Sequence, residues 1–172
     1  MIYLTADHHF CHTNIIRFCN RPFASVGEMN TTMVTNWNNV VEPKDTVYVL
    51  GDFGIGSRER LQEILDALNG YKTLIVGSHD SISEKLKGWV KVTPMLEIKA
   101  ENHYITLCHY CLRVWPRSHY NTYMAYGHSH GCLSPIGKSM DVGVDSNNFT
   151  PVSITNFIKL MASRPDNPNL VK

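Results

Sequence analysis

The sequence predicts a mixed α/β fold with a rim of polar strand ends, and three observations lead there. Through the first half, short apolar runs of strand type alternate with segments of helical periodicity. The second half is richer in strand-like runs. Five apolar runs end, in order, in Asp7/His9, Asp52, His79/Asp80, His109 and His128/His130. In α/β folds the space beyond the carboxyl ends of strands is where ligands sit, so these groups are expected on one rim.

Taken in order, Ile2-Tyr3-Leu4 reads as a strand running straight into Asp7-His8-His9. Thr13 is expected to cap a short helix with Ile15, Ile16 and Phe18 as its apolar positions. Ser25 and Glu28 have capping-box spacing, and Met29, Met33, Trp37, Val40 and Val41 then share one helical face as a core stripe. Pro43-Lys44-Asp45 turns the chain into a buried-type strand, Thr46 to Leu50, that ends at Gly51-Asp52. Leu61, Ile64, Leu65 and Leu68 mark an amphipathic helix closed by Asn69-Gly70, and Thr73 to Val76 is the next buried strand. Val90 to Ile98 and Tyr104 to Cys108 are expected to form a hairpin across Glu101-Asn102. Tyr123 to Tyr126 leads into Gly127-His128-Ser129-His130, and Ser153 to Met161 makes a last helix. Residues 1–172 read as one domain, with a polar, proline-containing tail from about 162.

Hydrophobic residues are 43% of the chain against 18% charged, which excludes a disordered chain. A net charge of +1 gives no broad basic surface for a nucleic-acid backbone, so a nucleotide partner is expected to be small or held locally. No stretch approaches the roughly 20 apolar residues of a membrane span. Met1 to Asp7 lacks the basic start of a signal peptide. Five scattered cysteines suit a reducing compartment, and the expected location is cytoplasmic. Cys108 and Cys111 have the spacing of a zinc or redox pair, but no second pair accompanies them and strand-like residues precede them.

Histidine is the unusual residue, with nine in the chain and most of them clustered at the ends of apolar runs. Asp7-x-His9 at a strand end would place two side chains on the same side, because strand residues alternate faces. His128-x-His130 repeats the arrangement, and Asp52 supplies a carboxylate that can bridge two cations. Mixed His and Asp ligation without thiolate suits Mn, Fe, Zn or Ni in open sites. Two such ions about 3.5–4 Å apart clamp the attacking and leaving oxygens of a phosphoryl displacement.

At this point the chain resembles the calcineurin-like metallophosphoesterases. Asp7-x-His9, Gly51-Asp52, Gly77-Ser78-His79-Asp80, His109 and Gly127-His128-Ser129-His130 look like that family's ordered motifs. The chain is similar in particular to small stand-alone bacterial and phage members, which carry an element like His12-Thr13-Asn14-Ile15-Ile16 with Asn20-Arg21-Pro22-Phe23. The resemblance implies a sandwich of two mixed sheets flanked by helices, with two divalent cations, manganese first in expectation, at the strand ends. By motif position Asp7, His9, Asp52 and His130 would hold the first ion. Asp52, His109 and His128 would hold the second, and a hydroxide bridging the ions would attack phosphorus. His79 would protonate the leaving oxygen, with Asp80 fixing its orientation. The implied substrate is a phosphodiester or small nucleotide.

One position departs from the pattern: Ser78 stands where the motif has asparagine, whose carbonyl oxygen would bind the second ion. A serine hydroxyl is shorter and offers no amide. His12, near a helix start, and Arg17 and Arg21 are expected to contact the phosphate. His8 is expected to face away, and Trp115 between Arg113 and Arg117 is a candidate for stacking on a base. Asp141 and Asp145 read as turn residues without a role. Two alternatives come from other classes. One is a weakly metallated binding module, which Ser78 supports. The other is a structural zinc protein, which the cysteine spacing opposes. No G-x-G-x-x-G or Walker-type pattern occurs, so those nucleotide folds are set aside.

Overall fold

The computed structural model describes residues 1–171. Strand β1 (Ile2–Thr5), helix α1 (Thr13–Phe18), helix α2 (Val26–Val40) and strand β2 (Thr46–Val49) come first. Helix α3 (Arg58–Ala67), β3 (Tyr71–Ile75) and β4 (Trp89–Thr93) follow. The second half holds β5 (Met95–Ala100), β6 (His103–Cys108), β7 (Tyr123–Tyr126), β8 (Ser139–Asp141), β9 (Val152–Ser153) and α4 (Ile154–Ser163). One sheet has the order β4-β3-β2-β1-β9, all parallel except β9. The other has the order β5-β6-β7-β8, parallel except for the β5–β6 hairpin.

Strand alternation builds two apolar layers. Tyr3, Val47, Val49 and Leu74 face the helices and pack with Met29, Met33 and Trp37 of α2 and Leu61, Ile64 and Leu65 of α3. Leu4, Leu50 and Ile75 face the other sheet and meet Ile105, Leu107, Ala125 and, from α4, Phe157, Ile158 and Met161. Trp37 is wholly buried, and its indole N–H donates to the Asn69 carbonyl at 3.0 Å, tying α2 to the turn that opens β3. Serines start the longer helices: Ser25, Ser57 and Ser153 accept from the third residue onward, as capping requires. Thr13 instead opens α1, which His12 precedes without a side-chain cap.

Two expectations about the second half are corrected. The strand expected from Val90 to Ile98 breaks at Pro94, and its halves pair in different sheets. Proline brings no N–H to a ladder, so the chain crosses from one sheet to the other there. The hairpin across Glu101-Asn102 is present, with both residues at left-handed φ of 46° and 66°. The tail after α4 is also packed: Asn167 is buried, donates to the Ser118 and Thr122 carbonyls, and accepts from the Lys138 N–H. Among the described residues no helix is long and apolar enough to cross a membrane.

His8 belongs to the core. It stacks on Phe10 at 5.1 Å and lies beside Trp37, with Nε2 3.1 Å from the Thr5 hydroxyl. Burial, with the Arg21 charge adding, drives its pKa down to about 3. The unfolded chain therefore takes up a proton below the ordinary histidine range that the folded chain refuses. Stability should fall as pH drops from about 6.5 toward 3, by about 1.4 kcal/mol per pH unit from this group. Urea denaturation of metal-free protein at pH 7 and pH 5 checks it: His8→Leu should flatten that slope, and an unchanged slope would refute the assignment.

Candidate metal centre

The parallel β1–β2 pairing continues past both strands as loops. Asp7 N–H donates to the Gly51 carbonyl at 3.0 Å and His9 N–H to the Asp52 carbonyl at 2.9 Å. What turns the donors inward is not strand alternation. Asp7, His9, Asp52, His128 and His130 all have φ between 46° and 67°, the left-handed region that non-glycine residues rarely adopt. Such strain gathers where the surroundings over-determine a functional geometry. Gly51 has φ 83°, and a Cβ there would meet His109 Nδ1 at 2.5 Å and the Gly77 Cα at 2.7 Å. Only glycine lets the three loops close on one another.

Two donor groups result. Asp7, His9 and His130 bring one ligand atom each to within 4.8 Å of one another, and so do Asp52, His109 and His128. Asp52 lies between them, with Oδ2 3.5 Å from His9 Nε2 and Oδ1 3.6 Å from His109 Nε2. His109 Nδ1 donates to the Leu50 carbonyl at 2.8 Å, which leaves Nε2 as a lone pair 3.2 Å from His128 Nδ1. Asp7 Oδ2 accepts the His128 backbone N–H at 2.8 Å.

These groups fit divalent cations. Asp7 Oδ1 and both ring nitrogens of His9 are buried without a hydrogen-bond partner, a costly arrangement for a protein interior. Burial pushes the Asp7 carboxyl up to about 8, the behaviour of an acid denied a counter-charge. Burial likewise drives His9 down to about 3, so its imidazole is a neutral donor. Burial raises the Asp52 carboxyl too, but His109, the His79 N–H and His9 outweigh it and hold it below the usual range. A carboxylate flanked by imidazoles suits borderline transition cations.

The other expected site residues divide. Ser78 Oγ donates to both Asp52 oxygens, at 3.1 and 3.3 Å, and His79 N–H donates to Oδ1 at 2.9 Å. His79 is exposed on the rim with its ring 5.6 Å from that of His9, and His12 lies the same 5.6 Å from His9. The α1 helix behind His12 spans only six residues, so its end adds little field. Asp80 does not orient the His79 ring: its buried carboxylate accepts the N–H groups of Asp52, Phe53 and Gly77 at 2.8, 2.9 and 2.8 Å. Arg17 is exposed, with its guanidinium 5.4 Å from the Phe18 ring. Arg21 is no open anion contact, because its side chain is enclosed and fully engaged behind the rim. Trp115 is buried and donates to the Thr122 carbonyl, so it presents no stacking face.

Two residues given no role in the sequence prove central. Asp141 accepts Ser129 Oγ at 2.5 Å, Gly131 N–H at 2.9 Å and Gly143 N–H at 2.7 Å, and so holds the H-x-H loop. Asp145 pairs with Arg21 and His130. Their only local signal was alternate spacing around Gly143, at a strand end like the other motifs.

The two mixed sheets flanked by helices and the paired donor groups at the strand ends match the arrangement that the resemblance to calcineurin-like metallophosphoesterases implies. The chain belongs to the family of the uncharacterized protein MJ1445 of Methanocaldococcus jannaschii. The two are 37% identical over 173 residues, covering 93% of this chain and 90% of that one. The crystal structure of the protein of unknown function AQ665 from Aquifex aeolicus superposes with a TM-score of 0.74 and 26% identity, covering 93% and 98% of the two chains. Yfce, a phosphoesterase from E. coli, overlaps 83% of this chain and 75% of its own at a TM-score of 0.44 and 18% identity, too loosely to bear on function. No family model matches the chain.

Proposed function

We propose that this chain is a metal-dependent phosphoesterase acting on a phosphodiester or small nucleotide. The observation that carries this is the pair of His/Asp donor groups sharing Asp52, with unpartnered buried donor atoms in the first of them. Asp7, His9, Asp52 and His130 would hold one divalent cation, and Asp52, His109 and His128 a second, manganese being the first choice. When bound, such ions supply Lewis acidity toward phosphoryl oxygens and acidify water for attack.

The chain's own groups do the rest. His79, exposed on the rim with its backbone fixed by Asp52, is placed to give a proton to the leaving oxygen. His12 adds a donor on the same side. Two exposed aromatic rings lie near the site: Phe18 is 6.2 Å from His12, whose ring is 5.6 Å from that of His9, and Tyr110 is 5.0 Å from His128. Base stacking on such rings contributes about 1–3 kcal/mol per base, which favours a nucleotide ester over a bare phosphate.

The test is hydrolysis of bis(p-nitrophenyl) phosphate by metal-stripped protein, titrated with Mn²⁺ while bound metal is counted. Activity rising with a second equivalent supports the reading, and no turnover from a folded, doubly metallated protein refutes it. His79→Ala should slow esters with poor leaving groups most, by about 10²-fold or more. A uniform loss across leaving groups would assign His79 to phosphate binding instead.

Ser78 favours a second reading, a weakly metallated binding module, because its hydroxyl is spent on Asp52. Ser78→Asn should tighten the second equivalent about tenfold and raise turnover, the range typical of groups supporting a metal site. Equal stoichiometry and rate in both forms would show that Ser78 limits neither.

A further inference from the structure

Behind the first donor group lies a charged seam that joins His130 to Arg21 through Asp145, a residue outside every motif. Asp145 Oδ2 accepts His130 Nδ1 at 2.7 Å. Both Asp145 oxygens also accept the Arg21 fork, from Nε and Nη2 at 2.8 Å each. The guanidinium continues inward, donating to the Asp7 carbonyl at 2.7 Å and the His8 carbonyl at 2.8 Å. Arg21 is therefore wired to both halves of the first group. It grips the backbone that carries Asp7 and His9, and through Asp145 it fixes the ring of His130. Its side chain has no exposure, so this wiring is not a solvated surface pair.

The pairing settles which nitrogen of His130 is free. A carboxylate only accepts, so Nδ1 carries a proton, and Nε2 is the nitrogen whose lone pair a cation would take once the ring is neutral. Cys19 also comes near His130 and Asp145, and those three could form a cation group of their own. The Arg21 fork already supplies the positive charge at Asp145, so that trio is complete without an ion.

We propose that Asp145, clamped by Arg21, is the positioning residue of the Asp7–His9–His130 group, setting the tautomer and direction of His130 for a divalent cation. The inference rests on the phosphoesterase reading only in taking that group to hold an ion. Partners of this kind typically change metal affinity 10–100-fold.

The experiment uses the full chain, stripped of metal. Long-range ¹H–¹⁵N spectra of the imidazoles, taken at alkaline pH where the ring is neutral, should show His130 as the Nδ1–H tautomer in the wild type and lose that signature in Asp145→Asn. Calorimetric titration with Mn²⁺ should show one of two binding steps weakened 10–100-fold in Asp145→Asn, the other unchanged, with partial rescue by Asp145→Glu. Arg21→Lys, which keeps the charge and loses the fork, should weaken the same step and serves if Asp145→Asn does not fold. An Nε2–H tautomer in the wild type, two unaltered binding steps in the folded variants, or a wild type that binds no divalent cation would each overturn the proposal. A wild type that binds both ions as expected but hydrolyses no ester would overturn the phosphoesterase reading alone.

Discussion

Asp52→Asn should abolish phosphoester turnover, lowering kcat/KM by about a thousandfold or more. The charge on Asp52 is the one shared by both donor groups, with one oxygen toward His9 and the other toward His109. On the proposed two-cation reading, losing it would remove the counter-charge from both ions together, and metal-centred stabilisation is worth several kcal/mol at about 1.4 kcal/mol per tenfold. The shape survives, because an amide oxygen at the Oδ1 position still accepts the His79 N–H and the Ser78 hydroxyl. Steady-state kinetics with bis(p-nitrophenyl) phosphate, beside a metal count, check it. A variant that keeps both ions and more than a tenth of the rate would deny Asp52 the bridging position.

The second large effect falls on stability. Asp80→Ala would leave the N–H groups of Asp52, Phe53 and Gly77 without an acceptor inside the protein. An orphaned buried donor costs about 1–3 kcal/mol, so the loss should be at least about 3 kcal/mol. Burial raises the Asp80 carboxyl against the pull of those same three N–H groups, a sign of how far from water the junction lies. Denaturant unfolding of the metal-free protein measures this. Asp80→Ala should also lower affinity for both ions, because the loop it fastens carries Asp52. A loss below about 1 kcal/mol would mean that water reaches the three N–H groups.

Much of the architecture was legible because apolar patterning and local chemistry agreed. Trp37, Met33 and Met29 fall where a 3.6-residue period puts them, and the Ser25 cap and Asn69-Gly70 closure lie where the sequence marks them. The donors were legible by type and spacing, and Asp7, His9, Asp52, His109, His128 and His130 do converge. Their orientation was not, since a left-handed dihedral at aspartate or histidine leaves no mark in composition. Long-range pairings were equally hidden. Arg21 and Asp145 are 124 positions apart, and alone the one reads as a phosphate contact and the other as a turn residue. Asp80 was misjudged because the residue beside it in the motif suggested a side-chain partner, while its actual partners are backbone groups of another loop. Pro94 carried a readable signal, a residue without an N–H in the middle of a strand-like run.

Gly143 has a consequence for how distant relatives should be recognised. A Cβ at that position would meet Asp7 Oδ2 at 2.7 Å and Asp141 Oδ1 at 2.8 Å. The next residue, Val144, donates its N–H to the Ala6 carbonyl at 3.0 Å, so the segment lies alongside the chain that delivers Asp7. Asp141-Val142-Gly143-Val144-Asp145 is thus a fingerprint block in its own right, with one acid for the H-x-H loop, one for the His130 ring, and a gap between them for Asp7. A search pattern of D-x-H, G-D, G-x-H-D and G-H-x-H alone would admit chains that cannot seat the first aspartate. Adding D-x-G-x-D selects those whose segment after β8 leaves room for it.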